Sequence, residues 1–185
     1  MATKHDPRSD SPRRSRGLTL LELLSVLAVT AVVAATAAPA LSALIDARRL
    51  DSAATRLAAD LQFVRGEAIS RNRPLRLSVL AGTGASCWIV HTGALADCSC
   101  GMTSGAVCGG TARTIKAALL PAGERVSVAA NVSSILFDPL HGTSTPTATL
   151  RLIGAHGAAV HHIVNVVGRV RSCSPEGVVP GYAAC

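Results

Sequence analysis

The sequence predicts an α+β chain, one long amino-terminal helix followed by an antiparallel sheet system. Three observations carry that expectation. Residues 18–45, LTLLELLSVLAVTAVVAATAAPALSALI, hold 21 apolar residues in 28 with Glu22 as the single charge. Apolar residues then recur at helical spacing as far as Ala68, in Leu50, Leu57, Leu61, Val64 and Ala68. Beyond Pro74 the apolar period falls to two, and helix followed by a run of short strands is the α+β signature.

The helix is expected over about residues 18–71. At ~1.5 Å per residue, Leu18 to Ala38 covers the roughly 30 Å of a bilayer's hydrocarbon core. Pro39 is expected to interrupt and kink the helix, because proline lacks a donor and clashes with the preceding turn. Small residues at Ser25, Ala28, Ala31, Ala35 and Ala38 allow close helix approach. Arg56 with Asp60, and Glu67 with Arg71, read as i,i+4 pairs on the solvated side, with Arg48 and Arg49 on the same wet face. Asn72-Arg73-Pro74 ends the helix, since the residue before proline is driven out of helical geometry.

Strands are expected at Leu75–Leu80, Ser86–His91, Arg113–Leu120, Arg125–Val128, Val132–Phe137, Thr147–Leu152, Ala158–Val166 and Arg169–Cys173. Turn residues separate them, among them Pro121-Ala122-Gly123, Asp138-Pro139 and His141-Gly142. The glycine- and cysteine-rich stretch 97–111 reads as a long loop.

Composition narrows the function classes. With 49% hydrophobic and 16% charged residues the chain of 185 is not disordered, and one long apolar stretch excludes several spans. Four aromatic residues, Phe63, Trp88, Phe137 and Tyr182, are too few to stack a row of bases. The net charge of +7 is uneven: residues 1–17 hold five basic and two acidic side chains, leaving +4 on the rest. Arg13, Arg14 and Arg16 before the apolar stretch favour a cytoplasmic amino terminus. An ordinary secretory signal cut near Ala35-Thr36-Ala37 fits less well. The apolar stretch exceeds the usual ~7–15 residues, and it carries a carboxylate that is costly inside a membrane.

Arg16-Gly17-Leu18-Thr19-Leu20-Leu21-Glu22-Leu23 resembles the processing site of type IV prepilins and type II secretion pseudopilins. That resemblance implies cleavage by prepilin peptidase between Gly17 and Leu18, N-methylation of Leu18, and Glu22 as the assembly glutamate that meets a neighbouring subunit's amino terminus. The family commonly has phenylalanine where Leu18 stands. Strand order, Phe137-Asp138-Pro139…Gly142 and Gly168-Arg169-Val170-Arg171-Ser172-Cys173 resemble the FimT/GspH family of minor pilins and pseudopilins over essentially the whole chain, most weakly over 92–112. The implied fold is pilin-like, with a β-sandwich-like pair of sheets on the helix. The implied organisation is a leader (1–17), a transmembrane and filament-core helix (18–45), an amphipathic second half (46–73), and a periplasmic β domain (74–185) with cysteine-rich loop 92–112. The chain would sit as a single pass in a bacterial inner membrane and then enter a pilus or pseudopilus beside other pilins or pseudopilins.

Cys87, Cys98, Cys100, Cys108, Cys173 and Cys185 all lie beyond the membrane stretch, and in an exported domain three disulfides are the default. Six cysteines allow 15 connectivities, and the sequence leaves them open; pilin carboxyl termini, by resemblance, suggest Cys173 with Cys185. Cys98-x-Cys100…Cys108 lacks the usual zinc spacing. His161 and His162 point to opposite faces of a strand, a poor chelate. No nucleophile motif or phosphate loop occurs, so neither metal, cofactor nor enzyme activity is expected.

Arg169 and Arg171 alternate on one predicted strand, so both guanidiniums should leave the same face, as either a solubilising edge or a phosphate-binding one. The resemblance implies more: Gly168-Arg169-Val170-Arg171 matches the Gly-Arg-x-Arg motif that FimT-type pilins use to bind DNA in natural transformation. Arg151 and Lys116 are candidate extensions. The expected function is a minor type IV pilin assembled into or at the tip of a pilus, with DNA binding by arginine–phosphate contacts as a candidate further role; the alternative is a GspH-type pseudopilin of type II secretion.

Overall fold

The computed structural model describes residues 19–82, 84–101 and 105–185. The chain has two compact units, Met1–Leu41 and Ser42–Cys185. Helix α1 runs over Leu20–Ser70 and continues through Pro39. One lost backbone bond does not end a helix whose neighbouring turns are intact, so the expected interruption is not present. Residues 20–41 are exposed throughout, and an 18-residue window of the helix has a mean hydropathy of 2.2. A surface that apolar is suited to lipid or to other helices rather than to water.

The second unit begins with the helix stripe read from the sequence. Leu50, Leu57, Leu61, Val64 and Ala68 are all buried, together with Ala53 and Ala54. Eleven strands follow among the described residues: β1 (Leu75–Gly82), β2 (Ala85–His91), β3 (Cys98–Ser99), β4 (Val107–Cys108), β5 (Thr114–Pro121), β6 (Ser127–Ala130), β7 (Ser134–Phe137), β8 (Ser144–Thr145), β9 (Ala148–Ile153), β10 (Ala159–Val164) and β11 (Val170–Cys173). They form a five-stranded sheet β5-β2-β1-β7-β8, a four-stranded sheet β11-β10-β9-β6 and a small ribbon β3-β4. All ladder pairings are antiparallel. Arg125, expected to open a strand, instead has φ 56° and caps a short turn before β6.

One apolar cluster joins the helix stripe to one face of each large sheet. Leu77, Trp88, Val90, Ile135 and Phe137 come from the first, and Val128, Leu150, Leu152, Val160 and Val164 from the second. Alternation is the reason: residues two apart on a strand share a face, so each strand offers its even or odd set to the helix. The other face of β2 is also closed. Cys87 and Ile89 pack with Cys98 and Ala112 in a second cluster. The stretch 97–111 is therefore not a bare loop. Its residues Cys98–Ser99 and Val107–Cys108 pair as the β3-β4 ribbon, fixed by disulfides Cys87–Cys100 and Cys98–Cys108.

Asp60 corrects the sequence reading most sharply. It does not pair with Arg56 on a wet surface; its side chain is wholly buried. The Trp88 indole Nε1 donates to Asp60 Oδ2 at 2.7 Å, and the Lys116 ammonium meets the other carboxylate oxygen. Arg56 instead lies over the Trp88 ring, 5.8 Å from its centre. The expected Glu67–Arg71 pair does form.

His162 is the second buried polar group under the helix. Its Nδ1 lies 2.8 Å from Ser172 Oγ, and burial pulls its pKa from 6.5 down to about 4. Between those values the unfolded chain binds a proton there that the folded chain refuses. Stability from this site is thus complete above pH 6.5 and is lost as pH falls toward 4, a decline of roughly 3 kcal/mol. Thermal unfolding of the detergent-solubilised chain at pH 7 and pH 5 should show a smaller acid loss for His162→Gln than for the parent. An equal loss in both would remove His162 as the cause.

Candidate functional site

Two regions gather the residues that the sequence singles out. The first is the start of α1. Gly17 and Leu18 lie outside the described residues. At the helix start the Glu22 main-chain N–H donates to Thr19 Oγ1 at 3.2 Å, and Leu23 N–H bonds the Thr19 carbonyl at 3.1 Å. Thr19 is therefore the N-cap, and Glu22 stands at the third helical position of a Thr-x-x-Glu pattern. A carboxylate in the first turn is also favoured by the helix dipole. The sequence carried this signal, yet Thr19 is easily passed over when Glu22 is read for its charge alone. Glu22 itself is exposed, so any burial of its charge must come from lipid or another subunit.

The second region is the hairpin of β10 and β11. Arg169 lies one residue ahead of β11 and Arg171 within it; both are exposed, with half-buried Val170 between them packed on the core. The two arginines thus share the face that the alternation predicts. Across β10 that face continues: Arg171 stands opposite Ile163, and Ile163 opposite Thr149. Arg151 stands opposite His161 on the same face. Lys116 lies on the first sheet and is engaged with Asp60, so it does not extend the group. His161 has its pKa lowered, first by burial and then by the Arg151 charge, which keeps it neutral at pH 7.

Among the described residues, no aspartate or glutamate lies within ion-pair distance of Arg151, Arg169 or Arg171. Arg171 Nη2 donates to the Cys185 main-chain oxygen at 3.3 Å. The disulfide Cys173–Cys185 brings that segment to the sheet, and Tyr182 ties it to the helix through Asp51 Oδ1 at 3.0 Å. A cleft of about 410 Å³ opens beside Ile163, Asn165, Arg169 and Arg171. Another, about 360 Å³, opens on the helix side between Gln62, Arg65, Ile69 and Arg169. All six cysteines are paired, and no metal-holding group of His, Cys, Asp or Glu occurs among the described residues.

Gly168 has a different part from the arginines. Its N–H closes the hairpin turn on the Asn165 carbonyl at 2.9 Å, while the Asn165 side chain accepts from Arg169 N–H at 2.8 Å. The backbone at Gly168 has φ +73°, and a Cβ there would stand 2.7 Å from the Gly142 carbonyl oxygen and 2.8 Å from Arg65 Nε. Arg65 Nε already donates to that Gly142 carbonyl at 2.8 Å. The glycine is required by the turn and by this close approach, and the arginines depend on the turn for their direction. Gly168→Ala should therefore destabilise the domain by about 1–3 kcal/mol. Urea unfolding measures it, and an unchanged midpoint would refute the steric argument.

The family comparisons bear on both regions. The family model described as type II transport protein GspH matches residues 53–168, and the prokaryotic N-terminal methylation motif matches residues 12–38. Comparison with curated proteins gives no match. The crystal structure of the type IV minor pilin FimU from Pseudomonas aeruginosa is similar in fold, with a TM-score of 0.50 at 19% identity. That likeness covers 70% of this chain and 95% of the other. With the GspH model spanning more than half its length behind an N-terminal methylation motif, the chain belongs to the GspH family of pilin-like proteins.

Proposed function

We propose that this chain is a minor pilin subunit, cut by prepilin peptidase between Gly17 and Leu18, methylated at Leu18, and drawn from the inner membrane into a pilus with its β domain on the periplasmic side. The methylation motif over residues 12–38, which takes in the exposed apolar start of the helix, is the observation that carries this reading. Cleavage creates a cationic amine at Leu18, four residues from Glu22. An exposed carboxylate on an otherwise lipid-compatible helix gains most from such a partner on a neighbouring subunit. The GspH family description favours a second reading, a pseudopilin of type II secretion, in which the same helix packs with other pseudopilins.

The β domain is proposed to hold DNA through Arg169 and Arg171. In support, both guanidiniums are exposed and neither lies within ion-pair distance of an aspartate or glutamate among the described residues, the Arg171 bond to the Cys185 oxygen aside. Guanidinium forks suit phosphate oxygens, and such binding weakens as salt rises.

Two measurements test these readings. Mass analysis of the membrane-extracted chain should find an N-methylated Leu18 at the amino terminus; a start at Ala38 would make the segment an ordinary signal. Retention of duplex DNA by the purified chain should weaken when Arg169→Gln and Arg171→Gln are combined. The slope of log affinity against log salt should fall by about 2, since each phosphate contact contributes roughly 0.9. Unchanged retention and slope would dismiss the DNA reading.

A further inference from the structure

The helix face just beyond the apolar stretch carries a second basic group, remote in sequence from the β10-β11 hairpin. Ile45, Arg48, Arg49, Ser52 and Arg56 fall at spacings of three, four, seven and eleven from Ile45, which places them on one stripe of α1. With Leu44, Leu120 and Glu124 they line a groove of about 550 Å³ between the helix and the edge strand β5. Its floor changes character along its length. Leu44 and Ile45 are exposed apolar residues, and Arg48 and Arg49 follow as the first cations in sequence after the apolar stretch.

Charge around the groove is in excess. Asp46 serves two arginines, Arg49 at 3.8 Å and Arg125 at 3.4 Å. Glu124 has no ion pair among the described residues, and neither has Arg48. Four guanidiniums (Arg48, Arg49, Arg56, Arg125) thus stand against two carboxylates (Asp46, Glu124). The apolar residues 18–38 already cover the roughly 30 Å of a hydrocarbon core, so the residues that follow within about ten positions in sequence belong with the headgroup layer. An apolar wall running into guanidiniums that outnumber their carboxylates matches one chemistry: acyl chain below, phosphate above.

We propose that this groove binds an anionic phospholipid, its phosphate held by Arg48 and Arg49 and its upper acyl chain lying on Leu44 and Ile45. The lipid would steady the helix at the membrane surface before the subunit leaves the bilayer. This rests on the membrane reading of residues 18–45, which is tested separately by whether the chain resists carbonate extraction and requires detergent.

The decisive experiment is native mass spectrometry of the full chain released from detergent micelles, with dioleoylphosphatidylglycerol or dioleoylphosphatidylcholine added at equal concentration. Retained phosphatidylglycerol should exceed phosphatidylcholine at least fivefold. Arg48→Gln with Arg49→Gln should lower phosphatidylglycerol retention about tenfold, and Arg48→Glu alone should lower it as well. Arg71→Gln with Arg73→Gln, at the far end of the helix, should leave it unchanged, and millimolar inorganic phosphate should not displace the lipid. Equal retention of the two lipids, indifference to the Arg48 variants, displacement by phosphate, or dimers in place of lipid adducts would each overturn the proposal. If carbonate releases the chain, the membrane reading fails first.

Discussion

A carboxylate with no access to water fixes how the helix meets the sheet. Asp60 is flanked on α1 by Leu57 and Leu61 and is as fully buried as they are. A charge so placed is tolerable only with partners in good geometry, and here they come from two neighbouring strands, Trp88 on β2 and Lys116 on β5. Trp88 pairs with Ala118, and Lys116 with Val90, so the two contacts straddle one step of the ladder. Rotating the helix by one residue, or slipping β5 along β2, would strand the carboxylate without a donor. Apolar packing alone tolerates such shifts far better, because it has no direction. The polar trio therefore selects one arrangement among several that would bury similar area. Its surroundings reinforce it: Arg56 covers the Trp88 ring and Lys116 lies over Phe63.

Consequences reach the far end of the helix. Once the Asp60 turn is fixed, Arg65 stands where its Nε can donate to the Gly142 carbonyl. The β7-β8 loop and the β10-β11 turn then converge on that guanidinium, with Gly168 admitting the contact. Meanwhile the cysteine-rich segment closes the outer face of the first sheet through Cys87–Cys100 and the cluster around Ile89. The second sheet has no such cover beyond the short Cys173–Cys185 tether. It is this less covered sheet that carries the exposed Arg151 and Arg171, so the distribution of disulfides and the distribution of charge are two sides of one division.

Much of this was legible in the residues because it repeats. The stripe from Leu50 to Ala68 and the alternation in Leu75–Leu80 or Thr147–Leu152 report their faces through period alone. What escaped depends on single long-range contacts. Asp60 sits four residues from Arg56, which suggests a surface pair until Trp88 and Lys116, 28 and 56 positions later, are brought to it. The run Cys87-Trp88-Ile89-Val90 does hint at a strand buried on both sides. No local pattern says that residues 97–111 supply the cover. Gly168 is similar: as a turn residue it is ordinary, and only its approach to Gly142 and Arg65 makes it irreplaceable.

The scarcity of rings takes on a sharper meaning in the folded chain. Trp88 and Phe137 are fully buried, the face of Phe63 carries the Lys116 ammonium, and the Tyr182 hydroxyl is spent on Asp51. Every aromatic side chain in the sequence therefore has a structural partner, and the face bearing Arg151, Arg169 and Arg171 holds none of them. Base stacking requires an unoccupied aromatic face, and base-edge recognition requires an element that can enter a groove. Of the hairpin's exposed turn residues, Val166 and Val167 carry no side-chain donor or acceptor for a base edge, and the Asn165 side-chain oxygen is taken by the Arg169 N–H. Any polyanion meeting this face would be held by its phosphates, and discrimination among sequences would have to come from the shape of its backbone.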